Sequence, residues 1–211
     1  MRFADRADAG RKLIPVLEKY KDSKDAIVIG LPRGGVVNAY EVAKGLNLPL
    51  DIIVVRKIGA PMQPELAVGA LTQEGDLLLN QDLMNRIGLM QQDIAGIIED
   101  EKKEAQRRLE LYRGDRQPLD LKNKTVIMVD DGLATGATMR AAIISARGMG
   151  AKKIVVAIPV STIDTLRKIE QEADEVICLY VPDRFWGISG FYDVFFQTED
   201  DEVIDLLRKA K

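Results

Sequence analysis

Residues Val126 to Thr138 read VIMVDDGLATGAT. Four apolar residues, Val126 to Val129, predict a short strand covered on both faces. Two adjacent carboxylates follow, Asp130 and Asp131. A loop of small residues comes next, built from Gly132, Ala134, Thr135, Gly136 and Thr138, and a helical pattern starts at Met139. Carboxylates at a strand's carboxyl end can accept hydrogen bonds from a vicinal diol. The loop offers backbone N–H groups, threonine hydroxyls and a helix N-terminus to a phosphate dianion. Diol and phosphate together describe a sugar phosphate. Taken singly, each residue also suits a plain turn or a helix cap. Two acids, two glycines and two threonines between Asp130 and Thr138 exceed what a turn needs. No Gly-Lys-Ser/Thr ends the segment and no dinucleotide fingerprint is present, so neither of those phosphate loops applies.

The same rhythm recurs on either side. Asp5 reads as the cap of a first helix in which Ala9, Leu13, Val16, Leu17 and Tyr20 share a face, with Pro15 disturbing its middle. Apolar runs predict strands at Ala26–Ile29, Asp51–Val55, Val126–Val129, Ile154–Ile158 and Val176–Tyr180. Helical patterns lie between them at about Val36–Lys44, Met139–Met149 and Ile163–Glu172, and a last one spans Glu202–Lys209. Short apolar strands alternating with amphipathic helices predict an α/β fold with a mostly parallel five-stranded sheet. Ligands of such sheets bind outside the carboxyl ends of the strands. Residues 58–124 break the pattern. Ala67–Leu71 and Leu77–Leu79, joined through Gln73-Glu74-Gly75, predict a hairpin. Gln91–Tyr112 predicts a long polar helix with a solvated, salt-bridged face. A single domain, 1–211, with 58–124 as an insertion, is the expected organisation.

Composition narrows the chemistry. The chain is 46% hydrophobic and 30% charged, with a formal net charge of −3. No basic field favours nucleic acid. There is no histidine, which excludes Ser-His and Cys-His catalysis and the usual zinc sites. The one cysteine, Cys178, lies in a strand pattern and reads as core. No run approaches transmembrane length and the start carries no apolar leader, so a cytoplasmic protein without a membrane partner is expected.

Three further segments follow strand ends. Gly30-Leu-Pro-Arg-Gly-Gly35 combines glycines that admit an anion with the charge of Arg33. Arg56 and Lys57 close the second strand and serve equally well as snorkelling surface cations. Gly59, Pro61 and Pro64 beyond them suit an irregular, mobile segment over 58–66. Phe185 and Trp186 come just after the fifth strand. They suit an aromatic wall for a ligand or, with Phe191 and Tyr192, a plug at the edge of the core.

On the full run from Val126 to Thr138, the chain resembles the type I phosphoribosyltransferases, whose signature for phosphoribosyl pyrophosphate (PRPP) is an apolar strand, two acids and a small-residue loop ending in Thr-Gly-x-Thr. Gly30–Gly35 is similar to the family's pyrophosphate loop, where a non-proline cis peptide is common; the matching bond is Pro32–Arg33. Residues from Arg56 onward resemble its second loop and hood. Val181-Pro-Asp-Arg-Phe-Trp186 resembles the base-binding segment of the hypoxanthine-guanine enzymes.

The resemblance implies the family fold with a small hood. It implies transfer of 5-phosphoribose from PRPP to an acceptor nitrogen with release of pyrophosphate, a nucleobase of nucleotide salvage being the expected acceptor. Asp130 and Asp131 would hold the ribose hydroxyls and, through PRPP and water, Mg²⁺. Leu133, Ala134, Thr135, Gly136, Ala137 and Thr138 would hold the 5′-phosphate. Pro32, Arg33, Gly34, Gly35 and Lys57 would hold pyrophosphate, with Arg56 and Lys57 completing the catalytic set. Phe185 and Trp186 would face the acceptor. A homodimer is compatible with this family. A PRPP-binding regulator without catalysis, and a transferase for a non-nucleobase acceptor, remain alternatives. Two departures argue against 6-oxopurines. Ala134 stands where those enzymes carry an acid, and IPVSTID after the fourth strand offers no lysine.

Overall fold

The computed structural model describes residues 1–114 and 116–210, apart from the side chain of Glu65. Helix α1 (Arg6–Leu17) leads to β1 (Ala26–Gly30), and α2 (Gly35–Leu46) leads to β2 (Leu50–Ile52). Strands β3 (Arg56–Ala60), β4 (Gln63–Leu71) and β5 (Leu77–Leu79) follow, then α3 (Gln81–Arg86) and α4 (Ala95–Arg113). The chain ends with β6 (Thr125–Val129), α5 (Ala137–Gly148), β7 (Lys153–Val160), α6 (Ile163–Ile169), β8 (Glu175–Tyr180) and α7 (Asp200–Lys209).

The central sheet has the order β2-β1-β6-β7-β8 and is parallel throughout. Its strands are apolar on both faces because both are covered. Val28, Ile127, Val129 and Val155 pack with Leu13 and Leu17 of α1, Val42 of α2 and Val203 of α7. The alternating set, Ile27, Val126, Met128 and Val156, packs with Met139 and Ile143 of α5 and with Ile169 of α6. Asp5 caps α1, its Oδ1 accepting from the Asp8 amide at 2.7 Å. The helix runs on through Pro15.

Register sets where the loops emerge. Gly30 pairs with both Ile52 and Val129, so β1, β2 and β6 end level. The loops after β1 and β6 therefore leave the sheet side by side. Strand β7 runs longer, and the amide of Leu133 donates to Val160 O at 2.9 Å. That bond folds the loop after β6 over the sheet edge.

Two expectations need correction. The apolar run Asp51–Val55 is not one strand: β2 stops at Ile52, because its neighbour β1 turns away at Gly30. Arg56 and Lys57 consequently do not close β2 but open β3. Nor is 58–66 a loop without regular pairing. It is the β3–β4 hairpin, with register shifts at Gly59 and its tip at Pro61 and Met62. A Cβ on Gly59 would collide with the Pro64 backbone, so the close approach of the two strands requires glycine there. The hairpin Gln63–Leu71 to Leu77–Leu79 forms as expected and completes a three-stranded antiparallel sheet. Ile58, Val68, Leu71, Met84, Ile94 and Ile98 give this hood its own small core. No helix among the described residues is long and apolar enough to cross a membrane.

Candidate active site

The two carboxylates stand just beyond β6 and are drawn inward. Asp131 is 9% exposed. Its carboxylate Oδ2 accepts from Arg6 Nε at 2.7 Å, and its backbone carbonyl accepts from the buried Tyr192 hydroxyl at 2.6 Å. Asp130 Oδ1 accepts from the Asp131 amide at 2.9 Å. Burial, reinforced by the charge of Asp131, holds the Asp130 carboxyl well above its ordinary range. Burial also raises Asp131, with the Arg6 guanidinium pulling in the opposite direction. Two acids kept close, each costly to ionise alone, suit a partner that brings hydrogen-bond donors or positive charge.

The loop from 132 to 138 is shaped by its glycines and by α6. Gly136 sits at φ 75° as the residue preceding α5, a conformation that side-chain-bearing residues rarely adopt. Thr165, buried at the start of α6, donates its hydroxyl to Ala134 O at 2.6 Å. Ala134 and Thr135 remain exposed, and Leu133 is buried beneath them. Helix α5 begins at Ala137, two residues earlier than its apolar pattern suggests, which places Ala137 and Thr138 in the first turn. The loop thus places two exposed residues, Ala134 and Thr135, at a helix N-terminus, where Thr135 Oγ1 accepts from the Ala137 amide at 3.4 Å.

The glycine loop lies against the carboxylates. A Cβ on Gly34 would overlap the Asp131 carboxylate and the Arg6 guanidinium. The Pro32–Arg33 peptide is cis, the bond singled out from the family pattern. Arg33 turns toward the start of α7, 3.3 Å from Glu199 and 3.9 Å from Asp200. Asp200 also accepts from Tyr112 of α4 at 2.5 Å. Arg56 pairs with Glu101 of α4 at 2.5 Å and so ties β3 to that helix. Lys57 lines a cleft of about 430 Å³ that it shares with Pro32, Pro61, Pro64 and Thr138. That cleft joins the glycine loop, the hood hairpin and the first turn of α5. A larger recess, about 700 Å³, lies between β4, β5 and α5 and reaches this loop only at Thr135 and Ala137.

The aromatic residues separate. Phe185 is half-buried and stacks on Phe191, with centroids 5.5 Å apart. Trp186 is 90% exposed. Cys178 is half-buried, its thiol donating to Tyr180 O at 3.2 Å and pushed up by burial, in keeping with a packing role. Sequence reasoning missed Arg6 and Tyr192 as neighbours of Asp131. Neither lies in a recognisable pattern, and Tyr192 showed only as one of several aromatics near the core edge.

Comparison with known proteins gives a consistent family. A family model described as phosphoribosyl transferase domain matches residues 5–195. A protein of Mycobacterium tuberculosis (strain H37Rv) named "putative phosphoribosyl transferase" is 45% identical over 211 residues, covering 99% of this chain and 47% of its own length. The chain therefore spans about half the length of the curated relatives it matches. Among solved structures, TT1426 from Thermus thermophilus is 36% identical, with a TM-score of 0.83 and 99% of both chains covered. The AQ2163 protein from Aquifex aeolicus shares the fold at 14% identity and a TM-score of 0.53, covering 96% of this chain and 84% of its own.

Proposed function

The chain belongs to the phosphoribosyl transferase domain family, and from that premise we propose that it transfers 5-phosphoribose from PRPP to an acceptor nitrogen, releasing pyrophosphate. The observation that carries this is the convergence at level strand ends. The carboxylate pair after β6, the glycine loop after β1 and the phosphate-type loop before α5 meet one another, and Lys57 shares a cleft with Pro32 and Thr138.

In this mechanism the bond between the ribose anomeric carbon and the pyrophosphate oxygen breaks as the acceptor nitrogen attacks from the opposite face. Positive charge develops on the sugar and negative charge on the leaving group. Catalysis is then positioning and electrostatics. Asp130 and Asp131 accept hydrogen bonds from the ribose hydroxyls. The amides and hydroxyls of residues 133–138 hold the 5′-phosphate. The backbone of Pro32 to Gly35 and the ammonium of Lys57 receive the pyrophosphate. Arg33, held by Glu199, and Arg56, held by Glu101, add positive charge at the border of the same site. The hairpin borders the same cleft through Gly59, Pro61 and Pro64 and is suited to exclude water.

Mg²⁺ usually takes one or two carboxylates together with substrate phosphate oxygens. Among the described residues no cluster of three or more acids, cysteines or histidines could hold a metal, but the Asp130–Asp131 pair would supply oxygen donors to an ion arriving with PRPP. When bound, it would neutralise charge on the leaving group. A nucleobase is the proposed acceptor, with 6-oxopurines disfavoured by Ala134. The pairing of Arg33 and Arg56 within the protein favours one second reading, a PRPP-binding protein without transfer.

A panel of nucleobases with PRPP and Mg²⁺, assayed for pyrophosphate release, tests both. Base-dependent release supports transfer. PRPP binding by calorimetry with no release from any base removes the nucleobase acceptor and leaves the second reading or transfer to a non-nucleobase acceptor. Absence of PRPP binding removes both.

A further inference from the structure

Arg6 is the first residue of α1 and is built into the site rather than lying across it. Its side chain is 12% exposed and that of Asp131 is 13% exposed. Three contacts fix the guanidinium. Nε donates to Asp131 Oδ2 at 2.7 Å, Nη1 donates to Phe196 O at 2.6 Å, and the guanidinium carbon stands 3.7 Å from the centre of the Phe195 ring. The absent side chain of Gly34 leaves the space that Nε and Nη2 occupy. Backbone pairing delivers Arg6 to this place. The Phe3 amide donates to Phe191 O at 2.9 Å, the Asp193 amide to Phe3 O at 2.8 Å and the Val194 amide to Ala4 O at 2.9 Å. The chain's first residues are thus zipped to residues 191–194 just before α1 begins, and the Asp5 cap sets the direction of the helix.

Among the described residues no other side chain donates to the Asp131 carboxylate. A carboxylate held by one oxygen through a charge-assisted bond keeps one rotamer and presents its second oxygen in one direction. A planar guanidinium with donors in a fixed fork can do this while also holding a carbonyl; a lysine ammonium cannot keep both partners in that geometry.

We propose that Arg6 is a positioning residue. It fixes the Asp131 carboxylate so that the free oxygen meets the ribose 2-hydroxyl, and it couples that carboxylate to the Phe195–Phe196 segment. This rests on reading the site as one for a ribose phosphate. Arg6 does not touch the sugar; it acts through Asp131.

The test compares ribose 5-phosphate, 2-deoxyribose 5-phosphate and inorganic phosphate by calorimetry on the full chain, with Arg6→Ala and Arg6→Lys. The wild type should prefer ribose 5-phosphate over the deoxy sugar by about tenfold, the scale of one hydrogen bond to a charged group. Arg6→Ala should lower that preference toward unity while binding inorganic phosphate as the wild type does. Arg6→Lys should recover part of the preference. Retained phosphate binding shows that the Ala variant is folded and that its phosphate loop is intact. A preference unchanged in Arg6→Ala overturns the proposal, and so does tighter ribose 5-phosphate binding, which would make Arg6 a plug. Equal loss for all three ligands in both variants would make the residue merely structural and also overturn it. A wild type that binds phosphate without distinguishing the two sugars would instead remove the ribose reading on which the proposal stands.

Discussion

Gly35 and Asp130 touch so closely that no side chain fits between them: a Cβ on Gly35 would stand 2.6 Å from Asp130 Oδ1 and 2.9 Å from its Cα. Gly35 opens α2, and its glycine is required by this approach rather than by an unusual backbone angle. Gly35→Ala should therefore destabilise the fold by about 1–3 kcal/mol through overpacking. The helix-propensity gain, about 1 kcal/mol, offsets only part of this. Urea unfolding gives the first number. Ribose 5-phosphate affinity should fall as well, because the carboxylate is the group that must move. An alanine variant of unchanged stability and affinity would mean that the contact is slack.

Lys57 lines the cleft beside Pro32 and Thr138, away from the Asp130–Asp131 pair that would hold the sugar. Lys57→Ala should weaken PRPP and pyrophosphate by about tenfold, the scale of a charge-assisted contact, and leave ribose 5-phosphate unchanged. Calorimetry with the three ligands separates these cases. Weakening of all three alike would assign Lys57 to the general field of the site.

Phe185 and Trp186 are neighbours in sequence with different surroundings, one stacked on Phe191 and the other 90% exposed. Phe185→Ala should lower stability by about 1–2 kcal/mol, as expected for a half-buried ring with an aromatic partner. Trp186→Ala should change it by less than about 0.5 kcal/mol. If Trp186 borders the acceptor, an accepted base should quench its fluorescence once PRPP is bound. Its alanine variant should then raise the KM for that base by about tenfold, the scale of base–aromatic stacking. A base that turns over with neither effect excludes Trp186 from the acceptor wall.

Glu175 opens β8 among Lys19, Tyr20 and Lys153, with contacts of 2.7 to 2.9 Å. Burial opposes its ionisation, but the three donors outweigh it and hold the carboxyl down to about 2, from an ordinary 4.5. A depressed acid stabilises the fold above its unfolded value and loses that contribution as pH falls through the folded one. Wild-type stability should therefore drop between about pH 4.5 and about pH 2, and Glu175→Gln should flatten that part of the curve. Parallel acid titrations followed by circular dichroism check this. Identical curves would show that other carboxylates govern acid unfolding.

Much of the fold and the centre of the candidate site were legible in the chain. The strand, carboxylates, loop and helix of 126–138 are contiguous, and each step follows from local rules: an apolar run buries, glycines turn, and a helix begins where its amides are free. The glycine loop and four of the five core strands were readable in the same way. The β2 boundary was not, because a strand ends where its neighbour ends, and β1 turns away at Gly30. Likewise the local composition of 58–66 resembled a loop, while pairing with β4 and a small core made Arg56–Ala60 a strand. The partners of two of the cations depend on packing alone. Arg33 reaches Glu199 and Arg56 reaches Glu101 because α7 and α4 are laid beside them. Arg6 meets Asp131 and Tyr192 meets the same residue's carbonyl across long stretches of chain. Sequence spacing along the chain therefore determined which groups make up the candidate sugar-phosphate site. Only the register of the sheet and the closing of the chain's first residues onto 191–194 decided which other side chains surround those groups, because contacts between distant segments depend on packing in three dimensions and leave no period in the sequence.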